Sequence, residues 1–306
     1  MEFKRFTKKN ILINSLLVIF YISWNIIVRG MKTEHWFLIG LWLSSYYIHE
    51  KSRKFILGFS IWIIYWIIYD SMRIIPNYEV SAVHIKQPYE LEKSLFGILS
   101  EDMRLTPNEY FLIHNNSVLD FLTGFFYINW VPVPLAFAVY LFIKNKELFI
   151  KFSLVFLFVN IAGFIIYYIY PAAPPWYVQI YGFDLHIGVP GNRAGLERFD
   201  NLTGIPIFEG IYNKNANVLA AIPSLHATYP LIVLYFGIKK GLKKINWLFI
   251  IFMFGIWFSA VYSSHHYIID IIIGVILAVT VIFLFEKLSK KPFLKKKIKF
   301  LTKSIT

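Results

Sequence analysis

Residues 245–287 read INWLFIIFMFGIWFSAVYSSHHYIIDIIIGVILAVTVIFLFEK. Two apolar runs, Trp247–Ser263 and Ile268–Phe285, each approach the ~20 residues a helix needs to cross a bilayer. A short polar stretch, Ser264-His265-His266-Tyr267, separates them, and Asp270 follows four residues after His266. Charged and ionisable groups near membrane depth are costly, so each one is a functional suspect by default. This segment therefore predicts a helical membrane protein with polar chemistry at one end of its last two spans.

The same pattern repeats outward. Further apolar runs occupy Ile11–Val28, Trp36–Ile48, Phe55–Tyr69, Ser117–Ile143, Phe152–Tyr170 and Ala220–Ile238. Over 306 residues the chain is 57% hydrophobic and only 16% charged, against about 25% charged in soluble domains. A soluble enzyme, a disordered chain and a fibrous repeat are excluded. The expected fold is all-α, a multi-pass bundle of about eight transmembrane helices.

The net charge is +13. In a soluble protein that would suggest nucleic acid. Here the lysines lie between apolar runs, so they set orientation and meet anionic lipid, and no nucleic-acid partner is expected. Basic clusters stand at Lys4–Lys9, Lys51–Lys54, Lys144–Lys151 and Lys239–Lys244, and again from Lys287 onward. With eight spans all of them fall on one side, which the positive-inside rule makes cytoplasmic. Both ends are then cytoplasmic. The first run has a basic flank but no small-residue cleavage site, so it is expected to be a retained span. The chain has no Cys, which removes thiol nucleophiles, disulfides and iron–sulfur clusters.

Four regions follow. Residues 1–70 form N-terminal spans. Residues 71–116 form an outer segment in which Tyr89–Leu99 carries a helical apolar stripe suited to the membrane interface. Residues 117–286 form a membrane core with a long outer loop at 171–219, and residues 287–306 form a basic cytoplasmic tail against acidic lipid. Loops as long as 171–219 are usually functional or disordered, and its many aromatics argue for order. Repeated proline in Pro171-Ala-Ala-Pro-Pro-Trp176 is incompatible with regular helix.

Two elements carry the chemistry. Pro223-Ser224-Leu225-His226 opens a span, where a helix N-terminus offers free N–H groups to an anion and Ser224 adds a hydroxyl. His266 and Asp270, four apart, share a helix face. A carboxylate beside an imidazole fixes its tautomer and leaves the other nitrogen free as nucleophile or base. Two histidines from different helices form a minimal phosphoryl-transfer site. One attacks phosphorus, and the other protonates the leaving oxygen and later deprotonates the acceptor. A metal site at His265, His266 and Asp270 is the competing reading. Most such sites want three or four ligands, and no further acidic or Cys cluster appears on that side. No metal or other cofactor is expected.

Pro223-Ser224-Leu225-His226 and the segment Ser259–Asp270 resemble the second and third signatures of the type-2 phosphatidic acid phosphatase superfamily. Tyr170-Pro-Ala-Ala-Pro-Pro-Trp-Tyr177, Pro190-Gly-Asn-Arg-Ala-Gly-Leu-Glu-Arg-Phe-Asp200 and His265-His266-Tyr267 are similar to its inositol phosphorylceramide synthase branch, the fungal aureobasidin target. The similarity runs from about Glu90 to Glu286. It implies a six-helix phosphatase-like catalytic core. The implied activity is transfer of phosphoinositol from a glycerophospholipid donor to ceramide, a lipid alcohol acceptor, by way of a phosphohistidine.

The resemblance assigns His226, His266 and Asp270 as catalytic. There are departures. The Arg of the third signature is Ala260 here, as suits the synthase branch, and the first signature, Lys-x6-Arg-Pro, is not recognisable. The phosphate-holding cations must then come from elsewhere, Arg198 foremost, with Arg193 and Lys214 behind it. Ser224 and His265 are further candidates for substrate binding. Trp176 and Tyr177 are candidates for lining the lipid path, and His114 and Asp120 match a His-x5-Asp pattern of the branch. A lipid phosphate or polyprenyl pyrophosphate phosphatase is the first alternative. A lipid transporter is the second, disfavoured because the polar groups cluster at outer ends rather than along several helices. The active site is expected on the extracytoplasmic face. The Ile-, Lys- and Asn-rich usage points to a bacterial inner membrane.

Overall fold

A computed structural model describes residues 5–28, 30–72, 74–213 and 217–306. The order is α1 (Lys8–Val28), α2 (Thr33–Ile48), α3 (Glu50–Ser71), α4 (Lys86–Phe96), β1 (Ile98–Ser100), β2 (Met103–Leu105) and α5 (Pro107–Ile113). The chain continues through α6 (Ser117–Ile128), α7 (Pro132–Lys144), α8 (Lys146–Ile169), α9 (Pro175–Tyr181), α10 (Glu197–Thr203) and α11 (Ile207–Tyr212). It ends with α12 (Leu225–Lys240), α13 (Ile245–Tyr262), α14 (Ile268–Ser289) and α15 (Pro292–Ile305). The protein is an all-α, multi-pass membrane type. Its strand content among the described residues is a three-residue antiparallel hairpin, β1–β2, turning at Glu101 and Asp102 with φ of 46° and 63°.

Every predicted run contains helix, although the run Ala220–Ile238 becomes helical only at Leu225. Among the described residues, six helical segments are long and apolar enough to cross a membrane by length and composition, one of them, Ser117–Lys144, made of α6 and α7 together. The two that fall short are α2 and α12, of 16 residues each. At 1.5 Å per residue such a helix is about 24 Å long, less than a ~30 Å hydrocarbon core. The run Ser117–Ile143, expected as one helix, is broken at Asn129–Val131. Pro132 and Pro134 follow the break, where the missing N–H groups fall in the first turn of α7. The loop 171–219, which showed no periodicity, holds α9, α10 and α11. Each is too short to give a sequence period. Helix α9 begins inside the proline run because Pro175 occupies its first position, the one place where proline is favoured.

The chain divides into two compact units. One gathers the chain up to Ile74 with Leu141–Leu154 and Ser289–Thr306. There the basic amphipathic α15 packs on α3 through its buried Ile298 and Ile305, leaving Phe293 and Phe300 exposed.

The other unit, Ile75–Tyr140 with Val155–Leu288, carries the candidate site. Helices α12 and α14 run parallel in it. Ser224, just before α12, donates its N–H to the Asp270 carbonyl at 3.0 Å, and Lys239 at the far end pairs with Glu286 of α14. Helix α13 connects them and packs against both α12 and α6. In lipid there is no hydrophobic drive between helices, so close approach over small residues does the packing. Gly124 of α6 lets the Phe199 ring of α10 lie against the backbone, and Gly274 of α14 admits the Ser224 carbonyl. Three extended stretches line up beside this bundle: His84 bridges Ala172, and Ala172 bridges Ala220, both in parallel.

Candidate active site

Three elements converge on the turn between α13 and α14. The first is the start of α12. Ser224 caps it, its Oγ accepting the Ala227 N–H at 3.3 Å, and the Tyr167 hydroxyl donates to the Pro223 carbonyl at 2.9 Å. Together with the Ser224–Asp270 backbone bond these fix where His226 leaves the helix. The second is the first turn of α14, which carries Asp270. The third is the turn itself, 263–267, held from outside by the long loop. Trp176 donates its N–H to the Ser264 carbonyl and Gly195 to the Ser263 carbonyl, each at 3.0 Å.

The result is a relay of hydrogen bonds. Asp270 has no exposure, and its Oδ2 accepts the Tyr267 N–H at 2.9 Å and faces His266 Nδ1 at 3.3 Å. His266 Nε2 lies 3.0 Å from His226 Nδ1. If Nδ1 of His266 donates to the carboxylate, its Nε2 carries the lone pair, and His226 Nδ1–H is the donor to it. In that tautomer the lone pair of His266 Nε2 points at His226. His226 is half-buried, its ring edge-on to Trp130 at 4.4 Å and tilted on Tyr127 at 5.2 Å. Trp130 sits in the break between α6 and α7. An aromatic in an apolar run carries no distinguishing sequence signal, and neither residue was expected at the site.

The other candidates are distributed around this relay. Arg198 reaches Asp120, Nε to Oδ1 at 2.6 Å, and Tyr262 donates its hydroxyl to the same oxygen at 2.7 Å. Asp120 thus orients Arg198 from α6, which gives a place to one half of the His-x5-Asp pattern. The other half, His114, is exposed and stacks on Tyr110 at 4.2 Å. Arg193 is engaged by Glu197, Asp200 and Glu209 at 2.8, 3.3 and 3.2 Å. His265 is buried, stacked on Tyr212 at 4.4 Å and Tyr127 at 5.5 Å, and its Nε2 faces the Arg193 carbonyl at 3.0 Å. Burial, and then the neighbouring His266 ring, hold its imidazole well below the usual histidine range. Trp176 and Tyr177 are buried in a small core with Ile85, Ala173 and Leu219, so their rings pack rather than face an open path. Lys214 lies outside the described residues. No group of three or more His, Asp or Glu suited to a metal occurs among the described residues.

The model of the PAP2 superfamily matches residues 102–284, more than half of the chain and all three converging elements. The chain belongs to the PAP2 superfamily. Within the superfamily it is 46% identical over 251 residues to a phosphoinositol dihydroceramide synthase of Bacteroides thetaiotaomicron, a match covering 80% of this chain and 81% of that one. The catalytic subunit of inositol phosphorylceramide synthase of Saccharomyces cerevisiae is 33% identical over 140 residues, 44% of this chain and 33% of the yeast one. The inositol phosphorylceramide synthase of Candida albicans is 30% identical over 162 residues, 53% of this chain and 34% of its own. No solved structure matches the chain.

One consequence concerns Gly274. A Cβ there would press on the Ser224 backbone carbonyl, which cannot move independently of the α12 start. Gly274→Ala is expected to push His226 out of register with His266. A misplacement of about 1 Å can cost about 10²-fold in rate. Steady-state turnover together with a thermal melt checks it: kcat should fall while the folded protein persists.

Proposed function

We propose that this protein transfers phosphoinositol from a glycerophospholipid to ceramide or dihydroceramide, releasing diacylglycerol, through a phosphohistidine on His266. The single observation that supports it most is the Asp270–His266–His226 relay, which leaves one imidazole nitrogen unprotonated beside an N–H donor. The names of the bacterial and fungal relatives supply the substrates.

His266 Nε2 attacks phosphorus and the bond to the diacylglycerol oxygen breaks. His226, as the imidazolium beside the phosphodiester anion, gives that oxygen a proton and becomes neutral. The ceramide hydroxyl then takes the place of diacylglycerol. His226 removes its proton as the oxygen attacks phosphorus, the phosphorus–nitrogen bond breaks, and both histidines return to their starting state. Asp270 holds the His266 ring and balances the charge that grows on it. Arg198, kept in place by Asp120, and the hydroxyl of Ser224 stabilise the equatorial oxygens of phosphorus.

The test is the lipid profile of membranes containing the protein, with and without added phosphatidylinositol and ceramide. Inositol phosphorylceramide should appear only when both are present. Free inositol phosphate without the ceramide product would instead mark a hydrolase.

On this reading the site lies on the extracytoplasmic face. The basic clusters put Asn192 outside and Lys243 in the cytoplasm. Accessibility tags at these two positions should report opposite sides, and tags reporting the same side would overturn the placement. Activity should also survive strong chelation, since side chains and helix N–H groups supply the charge stabilisation. Loss in chelator with recovery on adding zinc or magnesium would refute that mechanism.

A further inference from the structure

Two fully buried polar side chains in the segment before α6, outside both histidine motifs, grip the turn that carries His266. Glu92 of α4 has no exposure. Its Oε1 accepts the Ile268 N–H at 3.0 Å and its Oε2 accepts the Ile269 N–H at 3.1 Å. Asn108 of α5 has no exposure either, and its Nδ2 donates to the carbonyls of Val261 at 2.8 Å and His266 at 3.0 Å. The four backbone groups held are a carbonyl near the end of α13, the carbonyl of His266 itself, and the first two amides of α14.

Helix ends leave such groups without partners, and a local Ser, Thr, Asp or Asn usually serves. Here Tyr267 precedes α14 and has no side-chain acceptor to offer its amides. The partner is instead a carboxylate 176 residues away along the chain. Burying a carboxylate is expensive unless it is well bonded. Burial pushes the Glu92 carboxyl up to about 7 even though the two amides draw it down, and nearby Asp270 adds to the rise. A helix stop alone would not require this. What distinguishes the position is that the peptide groups following His266 are fixed from outside the helices that bear the reacting groups.

We propose that Glu92 and Asn108 are positioning residues for His266. Their bonds to the carbonyl of 266 and the amides of 268 and 269 set the direction of Nε2 and keep Asp270 facing Nδ1. The outer segment is thereby part of the reacting apparatus although neither side chain reaches phosphorus. The inference rests on the transfer reading for its rate test, so a second readout needs no turnover.

The variants are Glu92→Gln, which turns an N–H₂ toward one amide, and Asn108→Ala, which releases both carbonyls. Each should lower kcat by about 10- to 10²-fold, the scale of a misaimed reacting group. The KM for the phospholipid donor should stay within about threefold, since binding groups are untouched. In ¹⁵N-histidine-labelled protein, the His266 and His226 ring signals should shift as their hydrogen bond weakens, while the His49 signal stays. Wild-type turnover and KM with unshifted ring signals would overturn the proposal. So would a loss confined to KM, or a lowered melting temperature with unshifted rings. If the wild type performs no transfer, the functional reading fails, and the ring signals still decide this one.

Discussion

His266→Ala is expected to abolish head-group transfer and any residual hydrolysis together, because no phosphoenzyme can form without Nε2. The expected loss is essentially complete, since His266 is the ring that the Asp270 carboxylate orients, Oδ2 to Nδ1 at 3.3 Å. Asp270→Asn keeps the shape but removes the acceptor charge at Nδ1. It should leave a residual rate, with a loss of about 10²- to 10⁴-fold, as for a positioned acid–base group. Acid-labile label trapped from a phosphorus-labelled donor checks both substitutions. Wild-type protein should carry it, Asp270→Asn should acquire it slowly, and His266→Ala should never acquire it. Trapped label in His266→Ala would place the nucleophile elsewhere.

The helical membrane fold was legible because apolar runs of ~20 residues have few other uses. The histidine pair was legible for the opposite reason: polar groups at the ends of such runs stand out. Local chemistry explains what was not. Pro132 and Pro134 sit in an otherwise continuous apolar run, and the run length hid the break that they impose. Helices α9, α10 and α11 have six or seven residues each and leave no periodic trace. Arg198 could be singled out, but not its partner's role. Asp120 lies 78 residues earlier, and only the packing of α10 on α6 brings the two to 2.6 Å. Glu92 looked like one more polar residue on an amphipathic stripe. Its exposed neighbours Leu91 and Leu95 form that stripe, while Glu92 turns inward. A sequence pattern records which face differs, and here the inward face is the charged one.

His226→Ala should separate the two halves of the reaction. In the resting site His226 Nδ1 lies 3.0 Å from the nucleophilic nitrogen of His266. In-line displacement places the leaving oxygen on the far side of phosphorus from that nitrogen. The incoming phosphodiester must therefore part the two rings, and His226 must swing to the departing oxygen with its proton. A diacylglycerol alkoxide leaves poorly without that proton. The loss in phosphoenzyme formation from a phospholipid donor should be about 10²- to 10⁴-fold. A donor with an acidic phenol leaving group needs no proton, so the same substitution should cost it far less. Release of the phenol measured in a single turnover, beside release of diacylglycerol, reads the difference directly. The second half should stay slow with either donor, because His226 must still take the proton from the ceramide hydroxyl. The phosphoenzyme formed from the phenolic donor should therefore accumulate in His226→Ala and discharge slowly to ceramide. Equal losses with both donors, together with single-turnover activity retained in His266→Ala, would mean that the two histidines exchange roles.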